Sequence, residues 1–172
     1  SQLKGFGVGT ERVEDEAKKA FPGVSVIRMD SDTTARKGAI DQLLNSFRKG
    51  GAELLIGTQM VAKGLDFPNV TLVGVISADT TLNMPDFRAA ERTFQLLTQV
   101  AGRAGRGTDA GEVYVQTFDP DHAAVKLAAS QDYRMFFEHE IRNRRELGYP
   151  PFRRFCHIVI ADAEPDLAQS RC

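Results

Sequence analysis

Residues 99–107 read Gln-Val-Ala-Gly-Arg-Ala-Gly-Arg-Gly, which sets Arg103 and Arg106 three positions apart, each beside a glycine. A guanidinium stays charged at any physiological pH, and its planar fork of donors matches phosphate oxygens. Gly102 and Gly105 leave room for a phosphate to approach the backbone closely. The chemistry this spacing suits is delivery of cations to a terminal phosphate that another surface holds. The alternative is a glycine-terminated helix whose arginines make surface ion pairs, which contribute only about 0–1 kcal/mol each.

A second loop favours the first reading. Gly57-Thr58-Gln59-Met60-Val61-Ala62-Lys63-Gly64-Leu65-Asp66-Phe67-Pro68 follows a short apolar run, Glu53 to Ile56. In parallel α/β sheets, ligand loops collect at the carboxyl ends of strands. There Thr58 can give a hydroxyl to a phosphate, Gly64 permits close backbone approach, and Asp66 can accept from a ribose hydroxyl or position an arginine.

The elements that must position these loops alternate between strand and helix. Leu3 to Val8 is a predicted strand, followed by a helix capped by Thr10, with Val13, Ala17, Ala20 and Phe21 on one face. Val24 to Met29 reads as the next strand. Ile40, Leu43, Leu44 and Phe47 then mark a helix that Gly50-Gly51 stops. Glu53–Ile56 and Thr71–Ile76 are apolar enough to be strands buried on both faces. Asp86 is placed to cap the long helix carrying Phe87, Ala90, Phe94, Leu97 and Ala101, and Glu112 to Phe118 is a further strand. This order argues a parallel α/β sheet flanked by helices over residues 1–130. Residues 131–172 read as a helical extension and the cut-short opening of a further domain, with Phe155–Ala161 as a strand in which Cys156 is buried.

Bulk properties narrow the function classes. At 172 residues and 42% hydrophobic the chain can build a real core. A formal net charge of −1 excludes a uniformly basic nucleic-acid coat, so any nucleic-acid contact must be local. No run of about 18 apolar residues occurs. The start at Ser1 and the absence of a signal-peptide pattern point to an excised piece of a cytoplasmic protein. Cys156 and Cys172 lie far apart, outside any metal-ligand spacing, and read as reduced thiols. His122, His139 and His157 are scattered and give no metal cluster.

Together the two loops resemble motifs V and VI of superfamily 2 helicases, in the second RecA-like lobe. More narrowly, four segments resemble the primosomal replication-restart helicases. These are Gly7-x-Gly9-Thr10-Glu11, Arg28-Met29-Asp30-x-Asp32-Thr33-Thr34, Ile56 to Gly64, and Asp86-Phe87-Arg88-Ala89-x-Glu91-Arg92. The likeness runs from Gly7 to Phe155 and includes Tyr149-Pro150-Pro151-Phe152. It implies a RecA-like lobe of an ATP-dependent DNA helicase. Arg106 matches the arginine finger that reaches the γ-phosphate, and Arg103 matches its companion. Gln99 matches a glutamine that hydrogen-bonds near the catalytic water or the opposing lobe. Gly64 and Asp66 match positions that couple the ATP site to the nucleic-acid track, and Thr58 matches a threonine on a strand phosphate. Thr33, Thr34 and Lys63 are candidates for the same DNA-backbone contacts.

What the residues omit shapes the expectation equally. No Gly-x-x-x-x-Gly-Lys-Ser/Thr loop and no acidic box for Mg²⁺ occurs. In the family both belong to the first lobe, which with a zinc module would lie elsewhere in the same polypeptide. The chain alone is therefore expected not to hydrolyse ATP, and to act with DNA, the first lobe, primosome proteins and single-strand-binding proteins.

Other readings remain. One is a RecA-like binding module without turnover, and another is a superfamily 2 translocase on duplex. The most remote is a dinucleotide-binding oxidoreductase built on Gly5, Gly7, Gly9 and Asp30, whose glycine spacing fails. Arg142 to Arg145 with Arg153-Arg154 can touch DNA, although interleaved glutamates favour a solvated helix face. Tyr133, Phe136 and Phe137 favour core packing over base stacking.

Overall fold

The computed structural model describes residues 9–36, 38–62, 67, 69–102 and 111–156. The predicted strand at Leu3–Val8, and residues Cys172 and His157, lie outside these. The chain forms two compact units, Ser1–Phe136 and Phe137–Cys172.

In the first unit, helix α1 (Thr10–Ala20) opens with Glu11 in its first turn and closes with Lys18 and Lys19 in its last, as the helix dipole favours. It leads to strand β1 (Val26–Met29), helix α2 (Ala39–Arg48) and strand β2 (Leu54–Gly57). Of the apolar set expected on α2, Leu44 is buried. β1 and β2 pair in parallel with Val26 opposite Leu54 and Met29 opposite Gly57, and α1 packs on both. A short helix α3 (Gln59–Ala62) follows, then strand β3 (Leu72–Val75), helix α4 (Asp79–Leu82), helix α5 (Ala89–Ala101) and strand β4 (Glu112–Val115). β3 and β4 form a second parallel pair, with Gly74 opposite Tyr114. Helix α6 (Ala123–Ala129) and helix α7 (Tyr133–Leu147) complete the described elements. The mixed α/β architecture, with parallel strands and intervening helices, agrees with the sequence reading.

The core of this unit lies between α5 and α6. Phe94, Leu97, Ala124, Ala128 and Phe136 are buried together, with Ala78 from the turn after β3. The rings of Phe94 and Phe136 stack 4.1 Å apart and nearly parallel. Burying a large apolar side chain is worth about 1.5–3 kcal/mol, so this pair anchors the long helix that ends at Gly102. α6 runs Ala-Ala-Val-Lys-Leu-Ala-Ala and shows no strong apolar stripe, which is why periodicity misses it. His122 caps it, its Nδ1 accepting from the Ala124 amide.

Several expectations need correction. Thr10 is the first helical residue and Gly9 occupies the cap; the Thr10 hydroxyl donates to Asp30 instead. Gly9 holds the extended backbone that a cap requires, which leaves Thr10 inside the first turn with its hydroxyl free to donate to the carboxylate. β3 is not buried on both faces, since Leu72 and Gly74 are exposed while Val73 and Val75 are half-buried. β4 alternates likewise, with Tyr114 exposed. Asp86 accepts from the Arg88 amide and pairs with Arg92, just ahead of the first helical residue Ala89. Cys156 is exposed in irregular backbone, not in a buried strand. Of the aromatic trio, only Phe136 is core; Tyr133 and Phe137 are exposed.

Candidate functional site

The carboxyl ends of the four strands carry the polar residues. At the end of β1 the Asp30 carboxylate is buried and heavily bonded. Its Oδ2 accepts from the Thr10 hydroxyl at 2.7 Å and lies 2.9 Å from Arg28 Nη1. Its Oδ1 accepts from the amides of Asp32 and Thr33 at 3.1 and 3.0 Å and from the Thr33 hydroxyl. The Thr34 hydroxyl donates to the Asp30 carbonyl. The Thr10 hydroxyl and then the Thr33 amide do most to hold the Asp30 carboxyl below its ordinary 3.8, at about 2. Arg28 itself is shared among Glu11, Glu14 and Asp30, which ties α1 to the strand end.

Both Asp30 oxygens are thus taken up by internal donors, which argues against a ribose-binding role. Thr33 and Thr34 sit in a turn whose hydroxyl protons point at Asp30.

The neighbouring strand ends beside it. Met29 pairs with Gly57, so Asp30 and Thr58 leave the sheet on adjacent strands. Gly57 is there because nothing larger fits. A Cβ at this position would lie 2.2 Å from Val61 Cγ2 and 2.9 Å from the Met29 carbonyl oxygen. The absent side chain lets α3 fold back directly over the strand end. Thr58 is exposed, and its hydroxyl has no hydrogen-bond partner among the described residues. Gln59 Nε2 donates to Thr81 Oγ1 at 3.0 Å, joining α3 to α4.

The second strand pair also carries polar residues just past its strands. Ser77 adopts a left-handed backbone (φ 59°), and its hydroxyl meets that of Thr80 at 3.0 Å. Asp79 then accepts from the Thr117 hydroxyl and the Phe118 amide, which links the ends of β3 and β4.

α5 packs against both α3 and α4. Its last turns carry Thr98, Gln99 and Gly102. The Gln99 side chain is half-buried and makes no hydrogen bond to a described residue. Thr98 Oγ1 is buried without a hydrogen-bond partner. Gly102 has an ordinary helical φ of −71°, and among the described residues a Cβ there would meet the Thr98 and Gln99 carbonyl oxygens at 3.6–3.7 Å.

The helix that follows the Thr58 loop, α3, packs against α5, whose last turn carries Gln99. Arg103, Gly105, Arg106, Lys63, Gly64 and Asp66 lie outside the described residues. No group of three or more His, Cys, Asp or Glu is placed to hold a metal ion among the described residues. Among them, too, no helix is long and apolar enough to cross a membrane.

Sequence reasoning missed three contributors. Gly57 looks like any turn glycine until the Val61 contact is known. Asp79 and the Gln59–Thr81 bond span separations that no local pattern encodes.

Comparison with known proteins gives the chain's family. Residues 6–108 match the model of the helicase conserved C-terminal domain, more than half of the chain and inclusive of both loops. The replication restart protein PriA of Bacillus subtilis (strain 168) is 56% identical over 162 residues, 94% of this chain and 20% of that protein. PriA of Synechocystis is 50% identical over 150 residues, covering 87% of this chain and 18% of that protein. PriA of Haemophilus influenzae is 44% identical over 164 residues, 95% of this chain and 22% of its own length. The chain spans about a fifth of the length of these relatives.

Proposed function

The chain belongs to the helicase conserved C-terminal domain family, and from that premise we propose that it is the second motor lobe of an ATP-dependent DNA helicase acting in replication restart. The observation that carries the reading is the family match over residues 6–108, which takes in both the Thr58 loop and the Gln99–Gly102 helix end.

Such a lobe completes a nucleotide site from one side only. ATP and Mg²⁺ are held mainly by a first lobe elsewhere in the polypeptide, and hydrolysis of the β–γ phosphate bond supplies the work. The donors here fit that half-role, being an unengaged amide at Gln99 with two arginines just beyond Gly102. Arg106 is the cation that meets charge developing on the γ-phosphate, Arg103 braces it, and Gly102 and Gly105 let phosphate come close. Gln99 orients the attacking water or the facing lobe.

Thr58 donates its uncommitted hydroxyl to a DNA phosphate, with Lys63 adding charge; phosphate contacts fix position without reading sequence. Gly64 and Asp66 transmit nucleotide state from one end of this loop to the other. Thr33 and Thr34 serve the strand only after leaving Asp30, since that residue takes their hydroxyl protons. A zinc module, primosome proteins and single-strand-binding proteins belong to the whole protein in this reading, which works on DNA in the cytoplasm. Residues 1–130 form the motor lobe and 131–172 open the next domain.

The test is phosphate release from ATP with Mg²⁺ and single-stranded DNA. The 172-residue chain alone is expected to release none, and the full-length protein to do so when DNA is present. Unaided hydrolysis by the chain would overturn the division of the site.

A further inference from the structure

The second unit holds a surface that the motor reading does not use. Residues 137–156 carry five arginines and three glutamates, a basic excess inside a chain whose net charge is −1. Arg144 is structural, its Nε bonded to Glu140 at 2.8 Å with both side chains largely covered. Arg142, Arg145, Arg153 and Arg154 are exposed and make no ion pair to a described residue.

The backbone then turns back on itself. Gly148 takes a left-handed φ of +69°, and the Tyr149 amide bonds to the Arg144 carbonyl while the Phe152 amide bonds to that of Tyr149. This fold-back places Phe152 under the Arg145 guanidinium, 4.8 Å from the ring centroid. It also brings the Arg153 side chain beside Gly148, where an added Cβ would come within 3.2 Å of it. Phe155 meets Tyr149 edge-on at 6.1 Å. Phe152 and Phe155 remain 39% and 57% exposed.

Arginines interleaved with exposed rings are the chemistry of a single-strand platform. Aromatic faces stack bases regardless of sequence, and cations track the phosphates. A guanidinium stacked on a ring uses its face and keeps its N–H edges for phosphate oxygens. Without free arginines these rings would look like an apolar surface awaiting a protein; the charge favours a polyanion.

We propose that the fold-back Arg145–Gly148–Phe152–Phe155 is a docking platform for single-stranded DNA, separate from the Thr58 loop. The choice of DNA rests on the helicase reading; the platform's stacking and charge do not.

The test is fluorescence anisotropy of the 172-residue chain with labelled oligothymidylate, an abasic strand of equal length and the matching duplex. The chain is expected to bind oligothymidylate more tightly than either of the others. Combining Arg145→Ala, Arg153→Ala and Arg154→Ala should weaken that binding about tenfold or more. It should also flatten the log–log salt dependence by about 2, since each phosphate neutralised on a single strand accounts for roughly 0.7 of the slope. All three side chains are exposed, and circular dichroism confirms folding of the variant. The corresponding triple lysine variant should keep the salt slope and lose part of the affinity.

Thr58→Ala in the same chain separates the two sites. If it abolishes binding while the arginine triple has no effect, the platform is wrong and the motor track stands. If only the triple weakens binding, the platform stands and the Thr58 contact fails. Equal binding of duplex or abasic strand, or no binding at all, overturns the platform and leaves this face to a protein partner.

Discussion

Asp30 gathers donors from three directions: a hydroxyl from α1, two amides and a hydroxyl from its own turn, and a guanidinium from β1. All of them favour the ionised carboxylate, so its folded value of about 2 lies below the ordinary 3.8. A depressed carboxylate contributes stability that is present above its unfolded value and is lost as pH falls through the folded one. Asp30→Asn should therefore lower the thermal midpoint at pH 7, and the gap to wild type should close between about pH 4 and 2. A gap that stays constant over that range would show that Asp30 acts through shape and not charge. Thr98 is the opposite case, a buried hydroxyl with no partner. Leaving such a group unsatisfied costs about 1–3 kcal/mol, so Thr98→Val, which keeps the shape, should raise the urea midpoint of the chain. A lower midpoint would mean that the hydroxyl is satisfied in solution.

Among the elements, the best-read were those whose side chains repeat at helical spacing. Leu44 on α2 and Phe94 and Leu97 on α5 are buried as the spacing of those helices requires. Strand positions were legible but not their environment. Continuous apolar runs at Leu72 and Val73 read as two-faced burial, yet the described residues cover only one face of β3. α6 escaped because small residues pack closely without a wide apolar stripe. The turn after β2 was legible as a ligand loop, whereas its geometry was not, since only the contact with Val61 and Met29 shows why residue 57 is glycine. Gly57→Ala places a methyl group against a backbone carbonyl that cannot move aside. Overpacking of this kind costs about 1–3 kcal/mol, and a fall of that size in unfolding free energy with an unchanged denaturant slope is expected. A neutral substitution would show that α3 does not sit over the strand end as described.

For the molecule as a whole, composition excluded a general nucleic-acid coat and left local contacts, and the two charged loops carried most of what could be said about function. Their pairing was inferred from order along the chain. The packing of α3 on α5 adds a contact between the element that follows the Thr58 loop and the helix that carries Gln99. The family match to residues 6–108 spans both loops, and the chain covers about a fifth of its relatives' length. The most direct measurement is DNA-stimulated ATP turnover by the full-length protein carrying Arg106→Ala. An arginine finger is worth about 10³–10⁵ in rate, so turnover should fall by at least about a thousandfold while forked-DNA affinity is kept. Turnover near the wild-type rate would contradict the assignment of this lobe as the half that completes the nucleotide site.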